Sequence, residues 1–209
     1  MKKKKIILWN PRPYSEDGKM GQKLNSPPLA LGMLASLTPE YYDVIIRDGK
    51  FDKHEYEECD LVGITAMTCQ AITAYEIATL FRKKNIPVVM GGIHATVCKE
   101  EALNYVDVVV KGEAEYLWPD LLNDFENGKL KKIYHSKTLH DLKNLPIPSI
   151  DKFNKKYRMG IIQTTRGCPF NCEFCSVTAF NGRTYRKKEK FLQNGKIGLT
   201  QCRRGHKEN

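Results

Sequence analysis

The chain has 209 residues, of which 41% are hydrophobic and 28% are charged, values typical of a folded globular protein. A chain of this length can bury one sizeable core or two small ones, so disorder is excluded as the main state. The formal net charge is +10, but residues 183–209 carry +7 of it and the rest of the chain is nearly neutral. The short basic run at residues 2–5 has no interleaved aromatic residues, so we expect no nucleic-acid partner.

Five short apolar segments have the length of β-strands, and longer segments with helical spacing separate them. The predicted strands are 5–10, 43–48, 60–66, 86–92 and 106–112. The predicted helices are 28–38, 70–85, 98–105 and 115–127. The first apolar segment, 6–9, is too short for a signal-peptide core or a membrane span, so we expect a cytoplasmic protein with no membrane span.

The alternation of these strands and helices predicts an α/β fold. Strands that are apolar without alternation are buried on both faces, which is typical of a parallel sheet covered by helices on both sides. The sequence therefore predicts a Rossmann-like doubly wound parallel sheet within residues 1–127.

Small and polar residues follow three of the predicted strands. In doubly wound sheets, ligands bind in the crevice beyond the carboxyl ends of the strands, and glycine there lets the backbone approach a bulky ligand closely. Glycines at any single strand end could simply turn the chain, but three such ends favour a binding crevice. Its candidate residues are Thr65, Met67, Gly91, Gly92, His94, Gly112 and Glu113. A nicotinamide site is disfavoured because no G-x-G-x-x-G follows the first strand.

The periodicity weakens after residue 127. Residues 128–159 read as a linker with one short strand near Ile133, in which His135 and His140 are expected to be exposed. A new strand is predicted at 160–165. The segment 188–209 is glycine-rich and basic and has no apolar stripe, so we expect a poorly ordered tail.

Three of the seven cysteines are closely spaced. A disulfide framework is excluded for an odd number of cysteines in a chain without an export signal, and Cys59, Cys69 and Cys98 are each expected to be small buried side chains. Cys168, Cys172 and Cys175 form a C-x3-C-x2-C pattern. A structural zinc site and a 4Fe-4S cluster each take four ligands, so three thiolates leave one metal position open in either case. Cys202, 27 residues downstream of Cys175, is not favoured as the fourth ligand.

The cysteine segment "TTRGCPFNCEFCSVTAF", at 164–180, resembles the cluster motif of radical S-adenosylmethionine enzymes. In that family the three cysteines bind a 4Fe-4S cluster, and the free iron binds S-adenosylmethionine. The resemblance implies that Phe174 packs near the adenine. It also implies that 160–187 begin a partial TIM barrel.

The preceding sheet resembles the cobalamin-binding domain of one large subfamily of these enzymes. The resemblance rests on "GGIHAT", "DVVVKGEAE" and "PIPS", and with the cysteine motif it covers residues 4–186. The D-x-H-x-x-G motif that carries an axial histidine in the methionine synthase type does not follow the first strand. The resemblance therefore implies cobalamin held without a protein imidazole ligand, with His94 at the corrin periphery.

The family resemblance implies radical chemistry at an unactivated carbon of a small-molecule substrate, with methyl transfer, ring closure or rearrangement as outcomes. It also implies an electron donor such as flavodoxin or ferredoxin. Only 34 residues follow Cys175, so we expect a truncated and poorly active chain. The alternative is a corrinoid-binding module without catalysis, whose cysteines bind zinc or are vestigial.

Overall fold

A computed structural model describes residues 3–14 and 26–188, together with the backbone of 192–193 and 196–197. One six-stranded sheet forms its centre, in the order β2-β1-β3-β4-β5-β6, and all its strand pairs are parallel. The strands are β1 (Lys4–Asn10), β2 (Tyr42–Asp48), β3 (Leu61–Thr65), β4 (Val88–Gly91), β5 (Val108–Lys111) and β6 (Ile133–His135).

The strand order reverses at β1, which lies between β2 and β3. Its backbone pairs with β2 from Lys4 opposite Tyr42 to Asn10 opposite Asp48, and with β3 from Ile6 opposite Leu61. The chain therefore leaves β1 toward β2 on one side and leaves β3 toward β4 on the other side. This arrangement is a topological switch point, the place where doubly wound sheets open a crevice at their carboxyl edge.

Helices cover both faces of the sheet. They are α1 (Leu29–Leu37), α2 (Ala71–Arg82), α3 (Gly92–Val97), α4 (Lys99–Ala102) and α5 (Trp118–Glu126). One buried cluster joins α2, α3 and α4 to side chains such as Ile7, Val62 and Met90. The other joins α1 and α5 to the opposite face, through Ile6, Leu8 and Val108 among others. Alternate residues of the inner strands thus enter two separate cores, and the predicted doubly wound sheet is confirmed.

The segment after β5 is more structured than the predicted linker suggests. The strand near Ile133 is present, and it is the sixth strand of the sheet. Leu142 and Leu145 then pack on Met33 of α1, and the Ser149 amide donates to the Gly32 carbonyl at 2.9 Å. A 3-10 turn follows at Ile150–Lys152. This segment thus returns across α1 after leaving the sheet.

The cysteine segment forms a hairpin whose base is a two-residue ladder. Strand β7 (Thr165–Arg166) pairs antiparallel with β8 (Arg186–Lys187), and α6 (Val177–Asn181) lies between them. The strand predicted at 160–165 was wrong for residues 160–164, which have no strand structure. Ile161 and Ile162 are each 36% exposed, because no described strand pairs alongside them.

Another correction concerns the helix predicted at 98–105. The chain instead enters α3 at Gly92, immediately after β4, and α4 follows at Lys99. Gly92 makes this entry in the left-handed region, with φ 92°. A β-carbon there would lie 2.8 Å from the Ala66 carbonyl oxygen, so the tight turn requires glycine.

No helix in the described part of the chain is long and apolar enough to cross a membrane. The expectation of a poorly ordered tail after Lys188 lies outside the described residues, apart from the backbone of β9 (Leu192–Gln193) and β10 (Lys196–Ile197).

The adjacent glycines differ in what they require, which gives a matched test. We expect Gly92→Ala to lower the free energy of unfolding by about 1–3 kcal/mol, because it adds both positive-φ strain and a contact with Ala66. Gly91→Ala is expected to change it by less than about 0.5 kcal/mol, since Gly91 is extended and its β-carbon would meet nothing closer than 3.7 Å. Urea unfolding measures both variants; equal effects would contradict this account of the turn.

Candidate functional site

A cavity of about 740 Å³ opens at the carboxyl edge of the sheet. Its volume lies within the usual range for small-molecule and cofactor sites. Six of the seven predicted crevice residues line it: Thr65, Met67, Gly91, Gly92, Gly112 and Glu113. The three strand ends that the sequence predicted as parts of a binding crevice thus line the same cavity.

The sheet side of the cavity also contains polar side chains that sequence reasoning missed. Asn10, at the end of β1, donates to the buried Asp48 carboxylate at 2.8 Å and accepts from Gln70 at 3.2 Å. The Gln70 side-chain oxygen accepts from the Met67 amide at 2.8 Å. These bonds fix the loop after β3 against β1. The asparagine that follows "KIILW" was the sequence feature that could have indicated this polar contact.

The opposite wall comes from the cysteine segment and from the segment that crosses α1. Phe180 contributes apolar surface from the first, Ile161 and Ile162 from the residues just before it, and Leu142 and Ile147 from the second. No histidine of the described residues lines the cavity. The space is therefore enclosed by the strand ends on one side and by the cysteine hairpin on the other.

Buried ion pairs join these two sides. Both oxygens of Glu113 accept from Arg186, at 2.6 and 2.8 Å, and Arg166 lies 3.3 Å from the same carboxylate. Arg166 also pairs with Glu115. The arginines belong to the two hairpin strands and the glutamates to the loop after β5, so the charges hold the hairpin against the sheet. Glu113 lines the cavity, but its carboxylate is committed to the arginines.

Burial and charge act in opposite directions on these groups. Burial tends to raise the pKa of Glu113, but hydrogen bonding by Arg186 and the charges of both arginines outweigh it and lower that pKa. Burial likewise tends to lower the pKa of Arg166, whereas the bonds and charges of Glu115 and Glu113 raise it. Each partner therefore favours the ionised form of the other.

The loop between β7 and β8 carries the three predicted metal ligands. Its base is closed by a bond from the Cys168 amide to the Gly182 carbonyl at 3.1 Å, and the Cys175 amide donates to the Cys172 carbonyl at 3.1 Å. Cys172 is exposed, and Cys168 and Cys175 are half-buried. The three sulfurs are not within 4.8 Å of one another in the described chain, so they share the loop without forming a closed ligand group.

The other cysteines only partly match expectation. Cys59 is buried, and burial, with the charges of Asp60 and Glu57, raises the pKa of its thiol to about 12. Cys69 is exposed and Cys98 is half-buried, so the expectation of burial was wrong for both. Cys69 lies in a 3-10 turn at Thr68–Gln70 and Cys98 lies between α3 and α4, so neither is in the interior of a regular element.

Two predicted site residues, His94 and Phe174, lie away from the cavity. His94 was expected at the corrin periphery, but it is 3% exposed and its ring faces Tyr75 of α2, 2.7 Å away, because α3 begins at Gly92. Phe174 is 94% exposed and does not line the cavity. His135 is exposed as expected, whereas His140 is half-buried and stacks on Tyr116 with 4.3 Å between ring centroids.

The residues present fit two kinds of cofactor. The cavity combines apolar walls with glycine backbone, and a β-carbon at Gly112 would meet no atom within 4 Å, so a large ligand can approach this edge. The hairpin loop offers three sulfur donors within eight residues, suitable for a soft metal centre with one position open.

Comparison with known proteins agrees with the sheet half of the site. Residues 23–122 match the B12 binding domain family. The chain is also similar to two methyltransferases of Chlorobaculum tepidum: it is 41% identical to bacteriochlorophyllide d C-8(2)-methyltransferase, over 85% of the chain, and 32% identical to bacteriochlorophyllide d C-12(1)-methyltransferase, over 88%.

A more distant similarity, 27% identity over 78% of the chain, is to the hopanoid C-2 methylase of Rhodopseudomonas palustris. The chain spans 42% of each Chlorobaculum relative and 32% of the hopanoid methylase. These findings agree with the resemblance drawn from the sequence: residues 23–122 match the B12 binding domain family, within a chain that is similar to methyltransferases.

Proposed function

We propose that this chain provides the cobalamin-binding and cluster-binding part of a radical S-adenosylmethionine methyltransferase. The observation that carries the proposal is the shared cavity, lined on one side by strand ends of the B12 binding domain and on the other by the hairpin with the three cysteines. Two cofactors held by these elements would face one enclosed space.

The sheet edge would hold the corrinoid. Gly91 and Gly112 leave room there, Asn10 and Gln70 offer polar contacts, and no described histidine lines the cavity to act as an axial ligand. This supports the expectation of cobalamin bound without a protein imidazole.

The hairpin would hold the 4Fe-4S cluster through Cys168, Cys172 and Cys175, leaving one iron for S-adenosylmethionine. When bound, these cofactors supply a carbon radical and a transferable methyl group. The protein supplies position and exclusion of water, through the apolar wall that includes Ile161, Ile162 and Phe180. Phe174, beside Cys175, is proposed to contact the adenine.

The buried ion pairs would set the distance between the two cofactor sites. Arg166 lies two residues before Cys168, and Arg186 lies on the strand that closes the cysteine loop. Both are fixed by Glu113, which follows Gly112 at the cavity. Glu113 is therefore proposed as a positioning residue rather than a direct cofactor ligand.

Similarity suggests the substrate to test first. Two relatives are named for bacteriochlorophyllide d, at 41% and 32% identity, so we propose a bacteriochlorophyllide as the methyl acceptor. A flavodoxin or ferredoxin is proposed as the electron donor, in the cytoplasm.

Cobalamin binding should be blocked by a larger side chain at Gly91. Leucine fits the extended backbone there, and its branches would enter the cavity. We expect Gly91→Leu to weaken hydroxocobalamin binding at least about tenfold, because overlap with a ligand costs more than about 1.4 kcal/mol. Titration followed by visible absorption measures this. Val97→Leu, on an exposed side chain outside the cavity, is the control; equal affinity of both variants would remove cobalamin from this edge.

Cluster assembly should depend on each hairpin cysteine. After anaerobic reconstitution we expect about four iron and four sulfide per chain, falling to background when Cys168, Cys172 or Cys175 is changed to Ala. Cys69→Ala is a control at an exposed thiol outside the loop. Stoichiometric zinc without iron would support the alternative of a corrinoid-binding module without catalysis.

Docking of the hairpin should depend on Glu113. Glu113→Gln leaves the largely buried Arg186 without its carboxylate partner and Arg166 with Glu115 alone, and loss of one member of a buried pair costs about 3–5 kcal/mol. We expect faster amide hydrogen exchange across 160–188, with exchange of β3 and β4 unchanged. Glu100→Gln, at an exposed surface pair, is the control.

The stabilisation of the hairpin by Glu113 should depend on pH. The pKa of Glu113 is lowered by folding, so its stabilisation is present above the ordinary carboxyl value of 4.5 and is lost as the pH falls through the lowered pKa. The parent chain should therefore approach the exchange rates of Glu113→Gln only in acid. If the parent chain and Glu113→Gln differ in exchange rate as much at low pH as at neutral pH, the charge of Glu113 is not what holds the hairpin.

A further inference from the structure

A second group of metal-ligand side chains lies outside the cavity. His94 of α3, Cys98 at the junction of α3 and α4, and Glu101 of α4 place one donor atom each within 4.8 Å of one another. Within the described residues this is the one group of three or more histidine, cysteine and acidic side chains that meets this distance. Its spacing, H-x3-C-x2-E, follows from two short helices that meet at Cys98.

The histidine of this group is not fully satisfied. Its Nε2 lies 2.7 Å from the Tyr75 hydroxyl and 3.7 Å from a Glu101 oxygen. Tyr75 has one proton to donate, and it donates to Glu101 at 3.0 Å. The Nδ1 atom is buried and has no partner. The two ring nitrogens therefore differ: Nε2, and not the unpartnered Nδ1, is the atom that lies near Glu101 and Tyr75.

We propose that His94, Cys98 and Glu101 form a zinc site. Nitrogen, thiolate and carboxylate oxygen are all zinc ligands, and bond lengths of about 2.0–2.3 Å in a tetrahedron put neighbouring donors about 3.3–3.6 Å apart. The 3.7 Å between His94 and Glu101 is already near that spacing. Small rotations of the three side chains would bring the remaining donor atoms to the same spacing.

The burial of the three ligands suits entry of an ion from solvent. His94 is buried, Cys98 is half-buried and Glu101 is 54% exposed on its side chain, so the group is sealed on the sheet side and open outward. Binding of Zn²⁺ converts the Cys98 thiol to a thiolate and releases one proton to solvent. The thiolate and the Glu101 carboxylate then balance the charge of the ion. Tyr75 or water completes the four-coordinate shell.

The position of this site suggests what the ion would do. The same helix α3 places Gly92, Ile93 and Thr96 on the cavity wall, while His94 faces α2. A metal held by His94, Cys98 and Glu101 would fix α3 and α4 together and against Tyr75. It would stiffen the cavity wall without contacting its contents.

The test uses the full chain with Cys168, Cys172 and Cys175 changed to Ala, which removes the competing thiolates. We expect this chain to bind about one equivalent of Zn²⁺ in equilibrium dialysis and to unfold at a higher temperature with Zn²⁺. Co²⁺ should give a thiolate-to-cobalt charge-transfer band. In the same background, Cys98→Ser should abolish that band, and Cys98→Ser and Glu101→Gln should each weaken Zn²⁺ binding at least about tenfold.

Matched variants decide the outcome. Cys69→Ser and Cys202→Ser should leave Zn²⁺ affinity and the Co²⁺ band unchanged. Glu101→Gln alters a solvent-facing side chain, so it reports on ligation even if a change at buried His94 prevents folding. The site is overturned if the background chain binds no Zn²⁺, or if Cys98→Ser binds it as tightly as Cys69→Ser.

Discussion

One glutamate shared by two largely buried arginines is the interaction on which the site depends. The sheet and the cysteine hairpin have separate hydrogen-bond ladders, and Glu113 joins them through Arg166 and Arg186. Removing such charges from water is costly, and only their mutual contacts offset that cost. Their arrangement is therefore stable in one geometry, in which the arginines meet Glu113 and the hairpin faces the strand ends. A purely apolar contact would not specify the register so sharply.

That geometry builds on the switch point of the sheet. Because the chain runs from β1 to β2 on one side and from β3 to β4 on the other, the loops after β1 and β3 diverge and leave space between them. Asn10 and Gln70 hold the edge of this space, and Gly92 turns the chain from β4 directly into α3. The backbone at the edge is thus set by hydrogen bonds and a required glycine, and it does not depend on what occupies the cavity.

Apolar runs and strand-end composition predicted much of this architecture. They placed all five long strands, the faces they bury and six residues of the cavity, since these depend on local pattern and on a general rule for parallel sheets. The partners of Glu113 were not predictable, because Arg166 lies 53 residues away and no spacing rule links them. The orientation of His94 was missed because it depends on where α3 begins, which is set by one glycine dihedral angle.

The segment that crosses α1 has a kinetic consequence. Leu142, Leu145 and Ile147 line the cavity, and Ser149 is tied to Gly32. A molecule lodged at the strand ends would therefore lie beneath this segment, whose backbone carbonyls at His140 and Pro146 also accept bonds from Arg186 and Lys188. Its escape would require the segment to lift first, so residence time would follow the opening rate of this segment more than the strength of any single contact with the bound molecule. Such an arrangement would retain a bound molecule by confinement.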